Sequence, residues 1–262
     1  MVFQIKQFMD EGSENPIVAR LSIGLADLIQ MTRLSEERRE KVKSASFEIM
    51  CFLIDAEKAA KPLIGAIKQI EEKLNAEGVK TQQPSGAIET PTVMNLGSAR
   101  TFLKFGKQAL QSLAVAMGVL LEKDFNGPHF DKIAVRAKEA WRPDHPVAKL
   151  LEEDQRWIKE MLDLRNEDEH PKTSKPFVED FDISPRPEGG YLIKVPRFYN
   201  DKGVRECLDA CSHNLLTFSE EMIALGLTNF FPPGIILSEI PEDKRDPAKP
   251  VRFRLGLKNP PI

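Results

Sequence analysis

Residues 204–225 read VRECLDACSHNLLTFSEEMIAL. Val204, Leu208, Cys211, Leu215, Phe218, Met222 and Leu225 recur in this stretch at alternating steps of four and three. An α-helix returns side chains to one face at that spacing, whereas a strand alternates every second residue. The stretch is therefore one helix with an apolar seam that must be buried against other elements. Gly226 reads as its stop.

The same stepping recurs upstream in Leu53, Ala56, Ala60, Leu63, Ile67, Ile70 and Leu74. This run continues a long helical stretch that opens at Ser35-Glu-Glu-Arg-Arg, where Ser35 can cap the first turn and the acids favour its dipole. Pro62 lies inside the run and is expected to kink the helix or begin a new one. A shorter helix is expected from Pro16 to Arg33 and another from Phe130 to Trp141. Ser98 to Lys123 is apolar on more than one side and reads as the central helix. Pro146 to about Glu169 reads as a helix with Val147, Leu150, Trp157, Met161 and Leu164 on its buried stripe. Asp144 is its expected cap and Pro171 its end.

Between these helices, Gly78 to Asn95 is polar and reads as an exposed loop. Phe177 to Ile183 and Tyr191 to Phe198 alternate apolar with polar across Pro185, Pro187 and Gly189-Gly190, which predicts a β-hairpin. From Asn229 the chain is rich in proline, and within it Val251 to Leu257 alternates as one edge strand would. The expected fold class is mainly α. It comprises an up-and-down helical bundle over residues 1–228, with a hairpin insertion at about residues 176–198, and an irregular proline-rich tail over 229–262 packing on the bundle.

Composition narrows the function classes. Of 262 residues, 41% are apolar and 29% charged. That is enough for a true core. The net charge of −3 supplies no global field for nucleic acid or membrane, so any phosphate contact must come from a local patch. Met1-Val-Phe-Gln-Ile-Lys is not expected to open a secretory signal. The longest nearly unbroken apolar run is Leu113 to Leu121. A membrane span needs about 18 residues, so no membrane association is expected. Three cysteines, Cys51, Cys207 and Cys211, suit a reducing compartment better than a disulfide framework, and the expected location is cytoplasmic.

The stretch that carries chemistry is Leu164-Arg-Asn-Glu-Asp-Glu-His-Pro171. On an ideal helix, residues five apart point about 140° away from each other, so Arg165 and His170 share no face while the helix lasts. Pro171 disfavours helical backbone at His170, which releases the imidazole from the helical lattice. Arg165 lies four residues after Met161, at the edge of the buried stripe. An arginine near a helix C-terminus and a histidine on its exit can converge on one small pocket. The guanidinium is a fixed cation that can hold a phosphate or stabilise charge on a pentacoordinate phosphorus. The imidazole can move a proton near neutral pH. Together they suffice for RNA cleavage with the 2′-hydroxyl as internal nucleophile. A purely structural alternative has His170 capping the last carbonyls and Arg165 paired with Glu169 at i+4.

This arrangement resembles the HEPN family of helical bundles. These are marked by an arginine, usually followed by Asn, Asp or His, and by a histidine five residues after the arginine. Arg165, Asn166 and His170 fill the three positions. The resemblance covers the motif, the helix before it and, loosely, the bundle. It implies a homodimer whose two motifs meet across the two-fold axis, and metal-independent ribonuclease activity of a toxin or defence protein. Arg165 and His170 would be catalytic and Asn166 would orient them. RNA is the implied substrate, an antitoxin or other protein the implied partner, and no cofactor or metal is implied. The sequence departs from the pattern in the three consecutive acids Glu167, Asp168 and Glu169, and in the hairpin that delays the last helix. A second reading is a non-catalytic helical module that binds a partner protein or nucleotide through the same groove.

Other features weigh less. Cys207, Cys211 and His213 are metal-ligand types, but Cys211 belongs to the apolar seam and reads as a buried small hydrophobe. His145 reads as a turn residue. Lys172, Lys175, Lys194, Arg197, Lys202 and Arg205, and separately Arg252 and Arg254, could contact phosphates, but neighbouring acids make a solvated face the better reading.

Overall fold

The structure, a computed structural model, describes residues 10–172 and 174–258. The N-terminal six residues read for a signal, and Pro260 and Pro261 of the tail, lie outside them. The fold is mainly helical with small antiparallel sheets. The helices are α1 (Pro16–Val18), α2 (Leu25–Gln30), α3 (Glu36–Glu77), α4 (Ser98–Leu121), α5 (Phe130–Ala140), α6 (Pro146–Glu169) and α7 (Val204–Leu227). A π-helical turn, Ala19–Gly24, joins α1 to α2. No helix among the described residues is long and apolar enough to cross a membrane.

Local chemistry accounts for most of these boundaries. Ser35 caps α3 through its hydroxyl, which accepts from the Arg38 N–H at 3.4 Å. Of the two expected outcomes at Pro62, a new helix start does not occur: α3 runs through the proline unbroken. Its ring lies on the exposed side, where water can replace the backbone bond it removes. The cap of α6 is His145 and not Asp144: Nδ1 of His145 accepts from the Val147 N–H at 3.2 Å. The buried stripe of α6 is Val147, Leu151, Ile158, Met161 and Leu164, so Leu150 and Trp157 each sit one position off the fully buried line.

Gly226 does not stop α7; it lies inside the last turn and is buried. A Cβ there would stand 2.9 Å from Leu120 Cδ1 and 3.4 Å from the Trp141 ring, so close packing selects the glycine.

The chain forms two compact units. Each boundary between them falls inside one of the helices α3, α4, α6 and α7. The unit comprising residues 54–107 and 156–214 carries Arg165, Asn166 and His170. Its core includes Leu63, Ile67, Phe102, Leu103, Met161, Leu164 and Leu208, all buried. It also contains the predicted hairpin, as β3 (Val178–Glu179) paired with β6 (Arg197–Phe198), and β4 (Asp182–Pro185) paired with β5 (Tyr191–Lys194). Both ladders keep one register, so they are two parts of one antiparallel ribbon. Phe177 and Phe198 pack edge to face at its base, with ring centroids 5.5 Å apart. Within the polar loop before α4, β1 (Thr81–Gln82) and β2 (Ala87–Ile88) form a short ladder that the sequence reading did not foresee.

The unit comprising residues 1–53, 108–155 and 215–262 holds the tail. The tail is not irregular as expected: β7 (Ile235–Glu239) pairs in full with β8 (Phe253–Leu257). An ion network ties this hairpin down. Arg20, on the π-helical turn, donates from Nε to Glu220 Oε2 at 2.7 Å, and its Nη2 lies 2.6 Å from the same oxygen. Arg252 pairs with Glu221 and with Glu239, and Arg245 also reaches Glu239 at 3.1 Å. The tail also approaches the π-helical turn directly. A Cβ on Gly24 would stand 2.5 Å from Val251 Cγ1, so a side chain is excluded there.

Candidate active site at the end of α6

The last two turns of α6 hold the candidate residues. Met161 and Leu164 are buried, which places Arg165 at the margin of the core, with 12% of its side chain exposed. Asn166 and His170 are exposed. The helix ends at Glu169, one residue before His170, as Pro171 requires. The His170 N–H still donates to Asn166 O at 2.8 Å, which fixes where the imidazole leaves the helix. Beyond the proline, the Lys172 N–H donates to Oε1 of the buried Glu167 at 2.7 Å and folds the exit back on the helix.

The three candidate side chains are close in sequence. Among the described residues no side-chain hydrogen bond or ion pair joins them. The guanidinium of Arg165 turns instead to Glu169, through Nη2, and to Asp168, whose Oδ2 is 3.6 Å from Nη1. The i+4 pairing that the structural alternative anticipated is therefore formed.

Two basic residues that the sequence reading missed complete the cluster. Arg100 Nε lies 3.0 Å from Asp168 Oδ1, and Lys107 Nζ donates to Glu169 Oε2 at 3.1 Å. Arg100 and Lys107 stand two turns apart along one face of α4. That spacing was the available signal, and only the fold could show which carboxylates it meets. The hydrogen bond from Lys107 holds the Glu169 carboxyl below its ordinary range; desolvation opposes it, and the charges of Arg165, Lys107 and His170 act with it. Arg100 also lies over the Phe177 ring, 5.4 Å from its centroid, which joins the cluster to the base of the ribbon. Tyr199 stacks on Phe177 with ring centroids 6.4 Å apart. Partial burial, and next the nearby Glu167 and Asp163, raise the ionisation range of its phenol.

The remaining candidates are structural in their contacts. His145 is buried against Trp141, with ring centroids 4.6 Å apart, and its Nε2 is 3.0 Å from Asn229 Nδ2. Burial, and next the Arg142 charge, lowers its basicity. Four of the six basic residues around the ribbon are already paired: Lys194 with Asp182, Arg197 with Glu179, Lys202 with Glu160 and Arg205 with Glu71. Cys207 and Cys211 are free thiols, the second buried. Among the described residues no group of three His, Cys, Asp or Glu side chains stands together as a metal-ligand set.

No family model, curated protein or solved structure matches the chain.

Proposed function

We propose that the end of α6 is half of a metal-independent endoribonuclease site of HEPN type, completed by the same end of a second copy, in a toxin or defence protein. One observation supports this reading most. His170 is exposed directly after the helix, and its backbone is tied to Asn166, one turn after the Arg165 guanidinium. A homodimer of this type would bring the two Arg165/His170 pairs together across its two-fold axis, each copy supplying half of a composite site. His170 is the proton carrier, Arg165 the phosphate clamp, and Asn166 a polar neighbour that orients them. The 2′-hydroxyl attacks the adjacent phosphorus, the P–O5′ bond breaks, and the products are a 2′,3′-cyclic phosphate and a 5′-hydroxyl.

A second reading, a non-catalytic module binding a partner protein or nucleotide, is favoured by a different observation. Asp168 and Glu169 already occupy the guanidinium that the chemistry needs.

The two readings separate in one assay of structured and single-stranded RNA with excess chelator. The ribonuclease reading expects cleavage by wild type, and a loss of about 10²–10⁴ in rate in His170→Ala. It also expects sedimentation as a dimer. Cleavage unchanged in the variant places the chemistry elsewhere, and no cleavage by wild type favours the binding module.

A further inference from the structure

Arg165 sits in a string of alternating charges in the order Arg100, Asp168, Arg165, Glu169, Lys107. Two features set this string apart from ordinary helix-surface pairs. First, each carboxylate has two cationic partners, one on α6 and one on α4, bound through different oxygens. Second, two donors of the Arg165 guanidinium are unsatisfied, where Arg38, Arg39, Arg136 and Arg205 each leave only Nε so. The Arg165 Nε and Nη1 are shielded from solvent and find no hydrogen-bond acceptor among the described residues. Asp168, at 3.6 Å, is too far for a hydrogen bond from Nη1. Shielded donors left without acceptors are unfavourable, and they favour a ligand that offers more oxygens than one carboxylate edge.

We propose that Asp168 and Glu169 act as a built-in stand-in for phosphate on Arg165, an autoinhibitory contact that a phosphodiester displaces. The proposal rests on the reading of Arg165 as the phosphate clamp and adds how that clamp is held closed. Arg100 and Lys107 make the exchange possible. When phosphate takes the guanidinium, the two carboxylates keep their partners on α4 and are not left as isolated charges. Glu169, with 37% of its side chain exposed, is the outer and more easily displaced of the two. Two of the three consecutive acids, Asp168 and Glu169, unfavourable beside a polyanion if they only line the path, thereby acquire a role: they set the threshold for binding.

The test uses full-length protein and a short 2′-O-methyl RNA, which presents phosphodiesters but cannot be cleaved. Affinity is compared for wild type, the double variant Asp168→Asn/Glu169→Gln, and each of these combined with Arg165→Met. The double variant should bind about tenfold tighter at moderate salt, and the gain should vanish when Arg165→Met is added. Inorganic phosphate should compete with the RNA in the double variant at lower concentration than in wild type. A gain of equal size with and without Arg165 overturns the proposal, because removal of negative charge alone would then explain it. No gain also overturns it. Glu169→Gln alone, at an exposed position, should show part of the gain and serves if the double variant does not fold. The cleavage assay keeps this result separate from the ribonuclease reading. Arg165-dependent tightening without cleavage by any form sustains the stand-in and defeats the ribonuclease, whereas cleavage by wild type with no tightening does the reverse.

Discussion

Two arginine–glutamate clusters in this protein look alike as residue types and differ in construction. Arg20 and Arg165 are almost equally buried, with 10% and 12% of their side chains exposed. Their partners are not: Glu220 is 2% exposed, whereas of the two carboxylates on Arg165 Asp168 is 13% and Glu169 37% exposed. The Arg20 cluster joins the π-helical turn, α7, strand β7 and the segment leading into β8, stretches far apart in sequence. The three central charges of the Arg165 cluster lie within the last turns of one helix. A charged group whose partner is buried and distant in sequence holds a fold together, because breaking the pair strands a charge away from water. A charged group whose partners are local and wet can exchange them at small cost. Burial of the arginine alone does not distinguish the two cases.

The largest expected effect tests the structural side of this contrast. Glu220→Ala should lower the unfolding free energy by about 3–5 kcal/mol, because Arg20 loses its buried partner. Glu169→Gln should leave the denaturant midpoint within measurement error of wild type. Equal losses in the two variants, read from urea unfolding with unchanged m-values, would break the comparison.

A smaller effect sharpens it. His145 is buried as an unprotonated cap, so its folded-state basicity lies below that of the unfolded chain. The unfolded state therefore binds its proton first as pH falls. The stability that His145 contributes is complete above the ordinary imidazole range, about 6.5, and is lost as pH drops from there towards the folded value. Wild type should lose up to about 1.4 kcal/mol per pH unit more than His145→Gln in that window. Parallel stability curves for the two proteins would show that His145 is not held neutral. Glu220 acts in the opposite direction, since burial raises its range, and for that reason the variant comparison, not the wild-type curve, carries the result.

The helices were legible in the sequence because their signals are local. The three-four stepping of Leu53 to Leu74 and of Val204 to Leu225, the Ser35 cap and the Pro171 stop each depend on neighbours a few residues away. The misses turn on where a residue lies in the tertiary structure. Pro62 stays in α3 because its ring faces outward, and Gly226 stays in α7 because Leu120 and Trp141 press on it. The strand Ile235 to Glu239 offered only a short apolar run between prolines, and its identity comes from pairing with Phe253 to Leu257. At the candidate site, the sequence named Arg165, Asn166 and His170 and allowed the Arg165–Glu169 pair. It could not show that Arg100 and Lys107, far earlier in the chain, hold the same carboxylates.

The most direct test of the central claim, that Arg165 is kept for chemistry and Arg20 for the fold, is a paired measurement on Arg165→Met and Arg20→Met. Both variants keep an apolar stem, and unfolding free energy and RNA cleavage are read on the same preparations. Arg165→Met should unfold close to wild type while cleavage falls by about 10²–10³. Arg20→Met should be clearly destabilised and, where still folded, cleave normally. An Arg165→Met protein as destabilised as Arg20→Met, or one that cleaves like wild type, would contradict the claim.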